Sequence, residues 1–153
     1  MEAIDIPDGV TEIGGAAFEG CKALKQIIIP GEVAKLESYR WSTPPPAGIC
    51  EGCTSLETVI LPANLAEIGE HAFMGCRALQ EIVWPENLKR IGDNAFRGTG
   101  LRTVTLPASV ESLGSTAFAE CGDLETAEVP AGLKATMANQ FKDCPKLKEL
   151  RRH

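Results

Sequence analysis

Apolar and polar positions alternate along this chain over short stretches. In "LQEIVWP", Leu79 to Pro85, Ile82 and Trp84 fall on one side and Glu81 and Val83 on the other. That alternation predicts a short strand with one buried face. Proline ends it, because proline cannot donate to a sheet ladder. A second short segment follows, such as "LAEI" at Leu65–Ile68 or "VESL" at Val110–Leu113, with apolar residues at its first and last positions. Glycine then permits a tight bend, "AF" begins a predicted helical or 3-10 turn, and "GC" closes it.

The pattern repeats. Prolines stand at Pro7, Pro30, Pro62, Pro85, Pro107 and Pro130, in steps of 23, 32, 23, 22 and 23 residues. All 5 phenylalanines share one ladder, at Phe18, Phe73, Phe96, Phe118 and Phe141. Cysteines follow each by three residues, at Cys21, Cys76, Cys121 and Cys144; Thr99 takes that place once, and Cys53 holds it in the coil where Cys50 replaces phenylalanine. One such unit cannot bury its own apolar side, whereas stacked units share a continuous core. The expected fold is therefore a solenoid over residues 1–153, of about six coils of ~23 residues. A parallel β-sheet lines one side, with short second strands and helical or 3-10 turns on the other.

The blocks of the form "IP…V..IG..AF.GC..L", such as Ile6 to Leu24 and Leu61 to Leu79, resemble the leucine-rich repeat proteins, specifically the BspA-like (Treponema-type) class. The resemblance covers nearly the whole chain. It implies a right-handed solenoid without enzymatic activity, cofactor or metal, which binds protein partners. It also implies a surface or secreted adhesion-type setting. Against that, "MEAIDIPDGV" has neither the basic start nor the apolar core of a signal peptide. An intracellular scaffold, or a subunit of a larger assembly, is the alternative.

Composition narrows the partner. The net charge is −6, and nucleic acid needs a basic face. The one basic cluster is the terminal "KDCPKLKELRRH", which reads as a solvated end. No apolar run approaches the ~18 residues of a membrane span. Both ends stop short of a full repeat, with Arg152 at an inward slot and His153 at a proline slot. That leaves room for end-to-end self-association through uncapped ends.

The cysteines invite chemistry. Neighbouring coils lie about 4.8 Å apart, within the range of a disulfide, but parallel side chains bridge poorly. Small buried thiols are the plainer reading. In "CEGC", Cys50 occupies a phenylalanine slot, so the Cys-x-x-Cys spacing needs no redox role and lacks the strand–helix–strand context of one. His71 is expected to point outward just before "AF". No phosphate-binding or nucleophile motif occurs.

Two surfaces are candidates for binding. The outward strand column includes Ile28, Ile60, Val83 and Thr105, an apolar stripe if exposed; β-branched residues also simply favour strands. The second is the insertion at about 38–48, "SYRWSTPPPAG", nine residues beyond the period. Tyr39, Arg40 and Trp41 are residue types enriched at binding hot spots. Pro44, Pro45 and Pro46 favour a stiff extended presentation. The same aromatics are equally suited to covering the gap where Cys50 replaces phenylalanine.

Overall fold

A computed structural model describes residues 2–38, 47–133 and 137–153. The insertion residues Tyr39, Arg40, Trp41, Pro44, Pro45 and Pro46 lie outside them. The chain winds as a parallel β-solenoid of about six turns, with three faces whose inward side chains fill the space between.

The front face carries β1 (Ala3–Ile4), β2 (Gln26–Ile28), β4 (Thr58–Ile60), β7 (Thr103–Thr105), β9 (Thr126–Val129) and β10 (Glu149–Arg152). All pairings are parallel, and equivalent repeat positions stand in register: Ile27 pairs with Val59, Val104 with Ala127. Alternation does the sorting. Ile27, Ile29, Val104, Leu106, Ala127 and Val129 are buried, while Ile28, Ile60 and Thr105 between them are exposed. The rear face is a ladder of two-residue strands, β3 (Lys35–Leu36), β5 (Glu67–Ile68), β6 (Arg90–Ile91) and β8 (Ser112–Leu113). Each is followed closely by the next coil's backbone. At Gly92 a Cβ would lie 2.6 Å from the Glu70 nitrogen, so only glycine lets the coils approach this closely.

The third face corrects the expectation of helical pieces. Among the described residues it contains no helix, only linked turns. Left-handed residues interrupt any helical run: Ala16, His71, Asn94 and Thr116 two residues before the phenylalanine slot in four coils, and Gly20, Gly52, Gly75, Gly98, Glu120 and Asp143 two residues after it. The backbone bonds instead to the neighbouring coil. Phe18 N–H donates to Ile49 O, Cys50 to Ala72, Phe73 to Ala95, Phe96 to Ala117 and Phe118 to Gln140, at 2.8–2.9 Å.

The front sheet is also interrupted where a strand was expected. Gln80–Trp84 forms no strand, and the front face divides into β1-β2-β4 and β7-β9-β10. Among the described residues its link to the next strand is Arg102 N–H on Gln80 O at 3.2 Å. The cause is Trp84. The slot it fills holds Ile29, Leu61, Leu106 and Val129 in other coils. The indole packs edge-on against Phe96 at 5.1 Å and Phe118 at 6.0 Å. A ring of that size does not fit an aliphatic slot at ladder spacing, so the segment stands off. Leu61, Ile82 and Trp84 are accordingly only half-buried.

Candidate functional site

The core ladder sets the geometry of everything on the surface. Phe73, Phe96, Phe118 and Phe141 stack with centroids 5.3–5.4 Å apart. Cys50 stands in the phenylalanine slot, as its bond to Ala72 O requires, and separates Phe18 from the stack. Phe18 is half-buried where the others of the stack are buried.

The cysteine ladder has a role beyond filling space. The Cys53 thiol donates to Phe18 O at 3.0 Å, Cys76 to Cys50 O at 3.2 Å, Cys121 to Phe96 O at 3.2 Å and Cys144 to Phe118 O at 3.1 Å. Each ties one coil to the carbonyl at the phenylalanine slot of the preceding coil. Thr99 keeps a donor there, its hydroxyl bonding Phe96 O at 3.0 Å within its own coil. Thr99 shares the capacity to donate but not the tie between coils, so the sequence carried no clear signal for this role. All six cysteines are free thiols. The adjoining Cys53 thiol, then burial, pushes Cys50 up, and burial, then Cys53, pushes Cys76 up. The neighbouring Cys121 thiol lowers the half-buried Cys144 to about 7. Among the described residues, no group of three or more His, Cys, Asp or Glu is arranged to hold a metal ion.

His71 does not point into solvent as expected. Its side chain is 19% exposed and tied at both nitrogens: Nδ1 lies 3.3 Å from Glu51 Oε2, and Asn94 Nδ2 donates to Nε2 at 3.3 Å. Asn94 Oδ1 in turn accepts from Thr116 at 2.7 Å. Since Nε2 accepts, Nδ1 carries the proton toward Glu51. This chain of polar side chains joins the left-handed positions of successive coils, and leaves neither imidazole nitrogen free for proton transfer to a substrate.

Arg152 likewise departs from its inward slot. It is exposed, and its guanidinium donates to Leu133 O at 2.7 Å. His153 N–H bonds Val129 O and its carbonyl accepts from Ala131, at 3.1 and 2.8 Å. Arg152 and His153 thus satisfy backbone groups of the preceding coil.

On the front face the outward aliphatic residues are exposed. Ile28 is 45% exposed, Ile60 46% and Val83 85%. Val83 projects furthest because its segment stands off the sheet. Beside it a slot of about 670 Å³ opens between Glu57 and Thr58 on one side and Arg102 and Thr103 on the other, over Gln80 and Glu81. On the rear, a 360 Å³ hollow lies over Lys35, Glu67 and Arg90 and reaches Ser38.

These features define an open repeat solenoid whose usable surfaces are broad faces. The model of the BspA type leucine rich repeat region matches six copies, over residues 1–43 and 46–152. The chain belongs to that family, a class of repeat that generally serves protein interaction. It is similar to a leucine-rich repeat protein of Treponema pallidum, with 34% identity and a TM-score of 0.86, over 99% of this chain and 70% of that one. It is also similar to one from Bacteroides ovatus, with 28% identity and a TM-score of 0.74, over 97% of this chain and 45% of that one. No curated protein sequence matches it. Among the described residues no helix is long and apolar enough to cross a membrane.

Proposed function

We propose that the chain binds a protein partner across the front face, through Ile28, Ile60, Val83 and Thr105. The observation that carries this reading is the apolar stripe itself. Three large aliphatic side chains stand side by side in open solvent, rimmed by Gln26, Thr58 and Glu81. Such a rimmed patch is what a protein-binding site presents. The insertion residues Tyr39, Arg40 and Trp41, with Pro44 to Pro46, supply a second contact in this reading. Membership of the family supports a surface or secreted adhesion-type setting. Six free thiols, four of them used as hydrogen-bond donors, favour the second reading, an intracellular scaffold, because an oxidising compartment would endanger them.

The test is capture of partners on the immobilised chain, identified by mass spectrometry. Ile28→Lys with Ile60→Lys abolishes capture if the front face binds. Tyr39, Arg40 and Trp41 replaced by Ala reduces it if the insertion contributes. Ile28 and Ile60 are exposed, so the lysine changes should alter stability by no more than about 0.5 kcal/mol; a fall in melting temperature in the alanine set would instead mean that the aromatics cover the core. Full recovery of the partner by the lysine variant, with its melting temperature unchanged, would sink the front-face reading.

A further inference from the structure

The break in the front sheet leaves Trp84 with one wet side. A cavity of about 420 Å³ lies against it, lined by Trp84, Thr105, Leu106, Pro107, Glu128 and His153. Its floor is apolar, since Leu106 is fully buried and Pro107 half-buried. One wall is the indole, held in place by its edge-on contacts with Phe96 and Phe118. The His153 imidazole forms another, with Nε2 3.0 Å from Leu106 O, so its polar edge is already engaged.

The remaining polar group is the Glu128 carboxylate. Among the described residues no cation pairs with it. Its register neighbour is Arg151, but that guanidinium turns to Glu149 at 2.8 Å. The other acids compared here show the contrast. Glu2, Glu67, Glu120 and Asp123 each meet Lys25, Lys35, Arg97 and Lys146 from an adjacent coil. Glu128 alone among these stands beside an aromatic face and an apolar floor.

We infer that this cavity receives a guanidinium group, supplied by an arginine side chain of the protein partner. Indole is the strongest aromatic partner for a cation, and a planar guanidinium stacks on it while its N–H groups reach a carboxylate. The acidic net charge of the chain favours encounter with a basic segment. The inference rests on the protein-binding reading and adds the chemistry of one contact to it.

Trp84 and Trp41 are the two tryptophans, so Trp41→Phe isolates the signal. The indole N–H resonance of Trp84 is followed as N-acetyl-arginine amide, and then an arginine-containing peptide, is titrated into the 153-residue chain. The neutral isostere N-acetyl-citrulline amide is the control. A saturable shift with both arginine probes and none with citrulline is expected. Glu128→Gln should weaken it about fivefold, the factor one half-exposed ion pair supports. A tighter response to the peptide identifies a protein source; an equal response identifies free guanidinium as sufficient. Equal shifts with citrulline, or an undiminished shift in Glu128→Gln, would overturn the inference. Trp84→Phe keeps a ring in the core, and if it folds yet still gives a shift in the cavity's Thr105 amide, the indole is not the receptor. If partner capture needs Ile28 and Ile60 while no arginine probe binds, the cavity assignment falls and the front-face reading stands.

Discussion

The front face and the turn face of this solenoid follow the same repeat but respond differently to irregular residues. The turn face absorbs Cys50 in a phenylalanine slot, Thr99 in a cysteine slot and Glu120 in a glycine slot without losing its bonds between coils. The front face carries one large residue, Trp84, and divides in two. The difference lies in the direction of the misfit. Cys50 and Thr99 point inward but are smaller than, or close in size to, the residues they replace, and the larger Glu120 projects into solvent, so backbone spacing is unchanged. A larger inward residue at ladder spacing has nowhere to go except by moving the strand. The turn face is thus structural glue, whereas the front face is where exposed apolar residues, a slot and a half-open indole occur together.

The largest test of this contrast is in the stack. Phe96→Ala removes a ring held between Phe73, Phe118 and Trp84. It should cost about 3–5 kcal/mol in urea unfolding. Phe18→Ala, outside the stack and half-buried, should cost clearly less. Equal losses would mean that stacking continues past Cys50. Next, Cys76→Ala should destabilise by roughly 1–2 kcal/mol, because it removes the tie to Cys50 O, whereas Cys76→Ser keeps a donor and should recover part of that loss. If serine does no better than alanine, the thiols act by volume alone.

Trp84→Leu places in coil four the residue found at Leu61 and Leu106. Amide exchange over residues 81–83 should slow about tenfold or more as the ladder closes, with Val83 becoming less exposed. Unchanged exchange would remove Trp84 as the cause of the break. Thiol labelling sharpens the turn face. Cys144 should react first in the native protein, with a rate rising through pH of about 7, while Cys50, Cys76 and Cys121 wait for unfolding. The smallest effect is in acid. Arg97 and Lys146 hold the Glu120 and Asp123 carboxyls below their usual range. Their contribution is therefore present above the unfolded carboxylate range and fades as pH falls through the lower folded values. Arg97→Gln should flatten that acid limb slightly in pH-dependent melting curves.

Much of the solenoid was legible in the chain. Proline, phenylalanine and cysteine spacings each mark one position per coil, and alternation separated Ile27 from Ile28 and Val104 from Thr105. The helical turns were misjudged because the left-handed conformation of His71, Asn94 and Thr116 is invisible in residues that are not glycine. The strand at Gln80–Trp84 was misjudged because alternation reports polarity and ignores volume. The thiol bonds, the buried ties of His71 and the turn of Arg152 onto Leu133 O needed side-chain directions that spacing does not carry.

The sequence by itself determined the coil, its period and the inward row, because a unit of ~23 residues has only one way to bury that row: against its copies. Tertiary structure decided which surface is left for a partner. Whether Val83 projects, whether Trp84 keeps a wet face and whether Glu128 stays without a cation depend on residues from four different coils meeting in space. No local pattern encodes that meeting.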